Sequence, residues 1–346
     1  MKIGQFVVTV VLLAMPVGAS AESVEEFYKG RQVTMLVGGG AGGGYDVYAR
    51  TFARHFVHHI PGNPTIVAKN MPAAAGVAAA NALYNTADKD GSVIAALPNG
   101  VSMEPLTGNP QARYDALKLG WIGSIGKLQN VCATWHTSPV KTIKAAQERE
   151  IVVAAAGASS NTAIMPRILN ELIGTRFKIV AGYDPTGGLN LALERGEAEG
   201  ICGLAWSTLK TSRPHWIKDK LLNVIVQVGL AKHPELPDVP SAIDLVTDAE
   251  KRQVLELVLV RQEIGRPLTL PPGVPSDRAE ALRKAFAATL ADKAFRAEAE
   301  KAGLEIDPLS GAEIGAMLAK AYGAPAAVVA KAVALISRPK AAKKAK

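Results

Sequence analysis

Between Val33 and Arg50 the chain reads VTMLVGGGAGGGYDVYAR. An apolar, β-rich run ends in glycines around one alanine, and Tyr45 and Asp46 open a segment of helical pattern. Glycine at this density is costly unless the backbone must take φ > 0 or come close to another group. Gly38, Gly40 and Gly43 satisfy the G-x-G-x-x-G spacing of a dinucleotide loop, in a strand-to-helix context. The acidic residue that should follow about 20 positions on to hold a ribose is missing, since no Asp or Glu occurs between Asp46 and Asp88. No Gly-Lys-Ser/Thr follows the run, which excludes a P-loop, and the sequence has neither G-x-S-x-G nor H-E-x-x-H.

Other reactive residue types give weaker patterns. His55, His58 and His59 have the i, i+3, i+4 spacing that can place imidazoles over a metal. No cysteine or carboxylate lies near them in sequence, and a helix C-terminus favours histidine without any ion, so no metal is expected. Ser159 and Ser160 precede a helix, where N-capping is the ordinary role of serine. What remains is an arrangement that occurs three times. GGGAGGGYD, GASSNT and YDPTGG each follow a strand and open a helix. Helix N-termini offer free N–H groups and positive potential, so such loops can clamp an anion without arginine. The alternative for each loop is that it only caps its helix.

These loops need strands to carry them. Val33–Val37, Thr65–Lys69 and Ser92–Ala96 read as strands, with helices near Asp46–His59 and Ala78–Tyr84 between them. A second α/β unit follows, with strands at Val131–Trp135, Ile151–Ala155, Phe177–Val180 and Gly200–Leu204, and Val224–Gly229 leads away from it. The C-terminal third reads as mostly helical, entered through a proline-rich connector, RPLTLPPGVPSD. Strand–helix–strand order implies mainly parallel sheets with ligands beyond the strand carboxyl ends. The interleaving predicts one lobe from residues 22–130 and 230–336 and another from 131–229.

Composition bounds the function. The 346 residues carry a formal charge of +8. Lys2 supplies one positive charge and the last ten residues five, which leaves +2 for the body, too little for a nucleic-acid footprint. Residues 337–346 are expected to form a disordered basic tail. Lys2, the apolar run Phe6–Val17 and Ala19-Ser20-Ala21 predict a signal peptide, residues 1–21, cleaved after Ala21, and hence export. Cys132 and Cys202 fall in strand-like segments of the second unit. In an oxidising compartment they are candidates for a disulfide, and no CxxC pair points to zinc.

The chain resembles the periplasmic solute-binding receptors of tripartite tricarboxylate transporters, the TctC/Bug family. The resemblance is carried by GGGAGGGYDVYAR, NMPAAAGVAAANALYN, KDGSVIAALPNG, IVVAAAGASSNT and LPDVPSAIDL. It implies a two-lobed type II periplasmic-binding-protein fold that closes on a small carboxylate, without cofactor or catalysis. It implies delivery to membrane subunits of a transporter, by a receptor expected to be a monomer. It further implies that Gly43, Gly44, Tyr45, Ser159, Ser160 and Asn161 approach the ligand carboxylate, with Asn99, Thr186 and Gly187 along the cleft. Asp46 is expected to fix the loop and not to touch an anion. The segment CGLAW departs from the family pattern, and Trp206 is expected to give the cleft an apolar wall. The competing expectation is an exported hydrolase or lyase using the same cleft.

Overall fold

The computed structural model describes residues 22–157, 160–184 and 187–336. The signal segment, the basic tail, Ser159 and Thr186 lie outside these described residues.

Each predicted strand forms, and the strands assemble into two sheets, one per lobe. The first has the order β11-β4-β10-β3-β1-β2, with β1 at Gln32–Val37, β2 at Thr65–Asn70, β3 at Val93–Ala96, β4 at Gly120–Ser124, β10 at Pro267–Leu270 and β11 at Leu309–Ser310. The second has the order β7-β6-β8-β5-β9, with β5 at Asn130–Trp135, β6 at Ile151–Ala155, β7 at Phe177–Ala181, β8 at Gly200–Ala205 and β9 at Leu222–Val228. The parallel part is the part that was readable: β1 with β2 and β3, and β6 with β7 and β8. Both sheets are mixed, because β10 runs antiparallel to β3 and β4, and β5 antiparallel to β8 and β9. Strands β4 and β10 escape sequence reading for physical reasons. GWIGS is interrupted by glycine, and the four-residue β10 begins with proline inside what reads as a connector.

Helix Gly44–Phe56 shows how the elements are held. Tyr48, Ala49, Phe52, Ala53 and Phe56 form its buried stripe, while Arg54 and His55 sit in its last turn, where they complement the dipole. Phe52 meets Phe286 and Phe295 at ring-centroid distances of 5.2 and 5.4 Å. His55 and His59 bond to Glu298 and Asp292 at 2.6 and 3.1 Å, so the histidine cluster fastens this segment to helix Lys293–Lys301.

The chain passes between the sheets along 125–129 and 229–266. Gln129 Nε2 donates to Gln227 Oε1 at 3.1 Å, tying the first passage to the end of β9. Gly229 makes room there for the Gln129 side-chain amide, which a β-carbon would displace. The C-terminal helix Ala326–Ile336 packs on helix Ala249–Glu263 and also on helix Asn161–Ile173, so it braces both lobes.

Candidate functional site

A cavity of about 280 Å³ lies between the lobes, at the carboxyl ends of β1, β3 and β8. This is a small-molecule volume, at the low end of ligand pockets. The first lobe lines it with the glycine loop, Asn99, Gly100, Glu104, Arg261 and Arg266. The second contributes Ser160, Asn161, Gly203 to Ala205 and Thr208, with Leu128 and Asn130 at the passage between lobes.

The glycine loop owes its shape to Asp46. Its Oδ2 accepts from Gly42 N–H at 2.9 Å, and its Oδ1 accepts from Asn70 Nδ2 and Arg50 Nε at 2.8 Å each. Gly42 itself has φ +73°, open to glycine at little cost. Burial of Asp46 opposes its ionisation, but the three hydrogen bonds outweigh burial and hold the carboxyl below the usual range. A depressed carboxylate stabilises the fold above its unfolded pKa, about 3.9, and that contribution disappears as pH falls through the lower folded value. Asp46→Ala is therefore expected to cost about 1.5–3 kcal/mol at pH 7. The gap from wild type should narrow below about pH 4, as denaturant melts at pH 7 and pH 3 will show.

Tyr45 links this loop to the next. Its hydroxyl donates to Asn99 Oδ1 and accepts from Asn99 N–H, both at 3.1 Å. Gly38 and Gly76 close against the Pro98 ring, where a β-carbon on either would collide with it. Helix Asn161–Ile173 points its start at the cavity from the other side. Ser160 Oγ donates to Gly157 O at 2.7 Å and lies 2.8 Å from Thr162 Oγ1, so it folds the loop and makes no capping bond to the helix amides. Gly203, at φ +75°, receives the Asn161 carbonyl where any side chain would clash.

Of the residues predicted for the site, Gly43, Gly44, Tyr45, Asn99, Ser160 and Asn161 converge on this cavity. Gly187 does not border it; its N–H donates to Asp184 Oδ1 at 3.1 Å at the start of a seven-residue helix. Trp206 is a correction. Its ring is buried in the second lobe with Leu189, Leu209 and Trp216, and its Nε1–H donates to Glu235 Oε2 at 2.7 Å. The chain turns from β8 into helix Trp206–Ser212 at this point, which leaves Ala205 and Thr208 on the cavity and carries the indole away from it.

The larger omission is arginine. Arg261 and Arg266 are each only 4% exposed and both face the cavity. Arg266 stacks on the rings of Tyr45 and Tyr48, 4.5 and 4.4 Å from their centroids, and its Nη2 lies 3.4 Å from Thr208 Oγ1 across the cleft. Burial pulls the Arg261 pKa below that of ordinary arginine, against the favourable charge of Glu104. A guanidinium nonetheless stays protonated in proteins. Asn130, 1% exposed, leaves both its side-chain oxygen and nitrogen without partners, as does Asn161 its oxygen and Asn99 its nitrogen. Buried polar atoms in this state cost free energy unless something fills the space between them. The set fits a small polar anion.

Solved structures share this architecture. A TctC solute-binding protein from Polaromonas superposes with a TM-score of 0.65 at 20% identity, over 89% of this chain and 99% of that one. The periplasmic binding protein BugD gives 0.67 at 21% identity, over 89% and 97%. The fold is that of the TctC/Bug periplasmic binding proteins. MatC from Rhodopseudomonas palustris, with bound malate, gives 0.67 at 18% identity, over 89% and 99%. No protein-family model and no curated protein matches the sequence.

Proposed function

We propose that this chain is a periplasmic solute-binding protein of the TctC/Bug type, without catalytic activity, that captures a small organic carboxylate between its lobes. It then delivers the acid to membrane subunits of a tripartite transporter. The observation that carries the reading is the convergence, on one interlobe cavity, of anion donors from both sheets: two helix starts and two buried arginines. Solved proteins of the same fold hold malate and adipate, which supports an acid as the ligand. The lobes comprise residues 22–130 with 230–336, and 131–229, and the receptor acts as a monomer after cleavage of residues 1–21.

Closure is held by helix Trp206–Ser212. Lys210 Nζ lies 2.7 Å from both Glu235 and Glu305, and Glu305 belongs to the first lobe. This ammonium occupies the one grouping, His233, Glu235 and Glu305, that among the described residues resembles a metal site. Burial disfavours the charge on Lys210, but the two carboxylates more than compensate and raise its pKa.

The test is recovery of the ligand. Purified protein incubated with a bound diacid should return it unchanged by NMR after many hours, at one equivalent per chain. Conversion of the acid would replace this reading with that of an exported enzyme.

A further inference from the structure

Arg261 is the least compensated charge in the cavity. It lies on the buried face of helix Ala249–Glu263, one turn beyond Leu257 and Val258. Among the described residues it has no ion-pair partner, and its Nε has no hydrogen bond. Away from the main cavity it borders an apolar crevice lined by Met103, Leu257 and Val258, which offers it nothing. Gly100 leaves the space for its guanidinium, which a β-carbon at that position would strike. Glu104 is close enough to favour its charge, yet forms no ion pair with it and is bonded instead by Asn109 Nδ2 at 2.6 Å. A buried, unpaired guanidinium is strongly unfavourable until an anion meets it. The helix starts at Gly44 and Asn161 offer backbone donors to one anionic group. Arg261 projects into the cavity from a different element.

We propose that Arg261 selects ligands with a second anionic group, so that the cavity takes a dianion in preference to a monoanion of the same length. This rests on the reading of the cleft as a carboxylate site.

The experiment is calorimetry of wild type and Arg261→Met with adipate, glutarate and succinate, each against its monomethyl ester, with thermal melts in sodium sulfate alongside. Wild type should prefer the best diacid over its half-ester by about 10- to 100-fold, the range of one charge-assisted contact. Arg261→Met should erase that preference, weakening the diacid at least about tenfold more than its half-ester. A preference that persists in the folded variant, or is absent from wild type, overturns the role of Arg261 and leaves carboxylate capture standing. If Arg261→Met does not fold, Glu104→Gln carries the test. Loss of the nearby opposing charge should widen the diacid preference, and an unchanged or narrower preference overturns the proposal. Should no carboxylate bind while sulfate raises the melting temperature of wild type but not of Arg261→Met, the dianion site stands and the carboxylate reading falls. Failure of both acids and sulfate to bind overturns both.

Discussion

Gly44→Val is expected to abolish ligand binding, by at least about 100-fold, in a protein that still folds. A β-carbon at Gly44 would stand 2.9 Å from Thr208 Oγ1 and 3.2 Å from Arg266 Nη2. Those atoms belong to opposite lobes, so the branched side chain obstructs both the approach of an anion to the helix start and the approach of one lobe to the other. The position is the first residue of its helix with Gly43 as N-cap, and it packs into no core cluster. Loss of closure removes the contacts that only the closed state makes, and with them the differential affinity that drives it. Two or three charge-assisted bonds at about 1.5–3 kcal/mol each are at stake. Calorimetry against the preferred acid, with a thermal melt as the folding control, measures this. Wild-type affinity in Gly44→Val would remove the glycine loop from the site.

Reduction of the Cys132–Cys202 link is expected to give the largest loss of stability. The two residues face each other in register on β5 and β8 and are bonded as a disulfide across a sequence separation of 70. Constraining a loop of this length in the unfolded chain is worth about 4 kcal/mol in the chain-entropy model. Both side chains are buried, at 1% and 0% exposure, so serine at both positions adds buried hydroxyls and a worse outcome than alanine. Oxidised, denatured protein should titrate no thiol, and the double alanine variant should melt well below wild type. Two titratable thiols in oxidised protein would contradict the pairing.

Much of this was legible because it is local. Seven strands announced themselves by β-rich runs between turns, and the glycine loop by its context. Asp46 was readable as a loop clamp from its place in the first turn, which the bonds to Gly42 and Asn70 match. The rest depends on pairs remote in sequence. The antiparallel strands of the first sheet come from GWIGS and PLTL, whose glycines and proline hide them. Trp206 misled because it stands in the strand-end segment that the family resemblance places at the cleft, whereas the indole finds its partner in Glu235. Arg261 did leave a trace. Val254, Leu257, Val258 and Arg261 continue one helical stripe, so an arginine occupies a register that is otherwise apolar. A charge in a buried register is the informative observation, and it was passed over because nothing in sequence marks what it faces. Arg266, between Gly265 and Pro267, left no such trace.

The most direct measurement is calorimetry of the purified protein with an organic acid and with the neutral primary amide that matches it in shape. The account predicts one site per chain for the acid, micromolar or tighter, about −8 kcal/mol. It also predicts a loss of at least about 100-fold when the carboxylate becomes an amide, because helix starts and buried guanidinium groups reward charge. Equal affinity for acid and amide, or no affinity for any acid in a panel of mono-, di- and tricarboxylates, would contradict it.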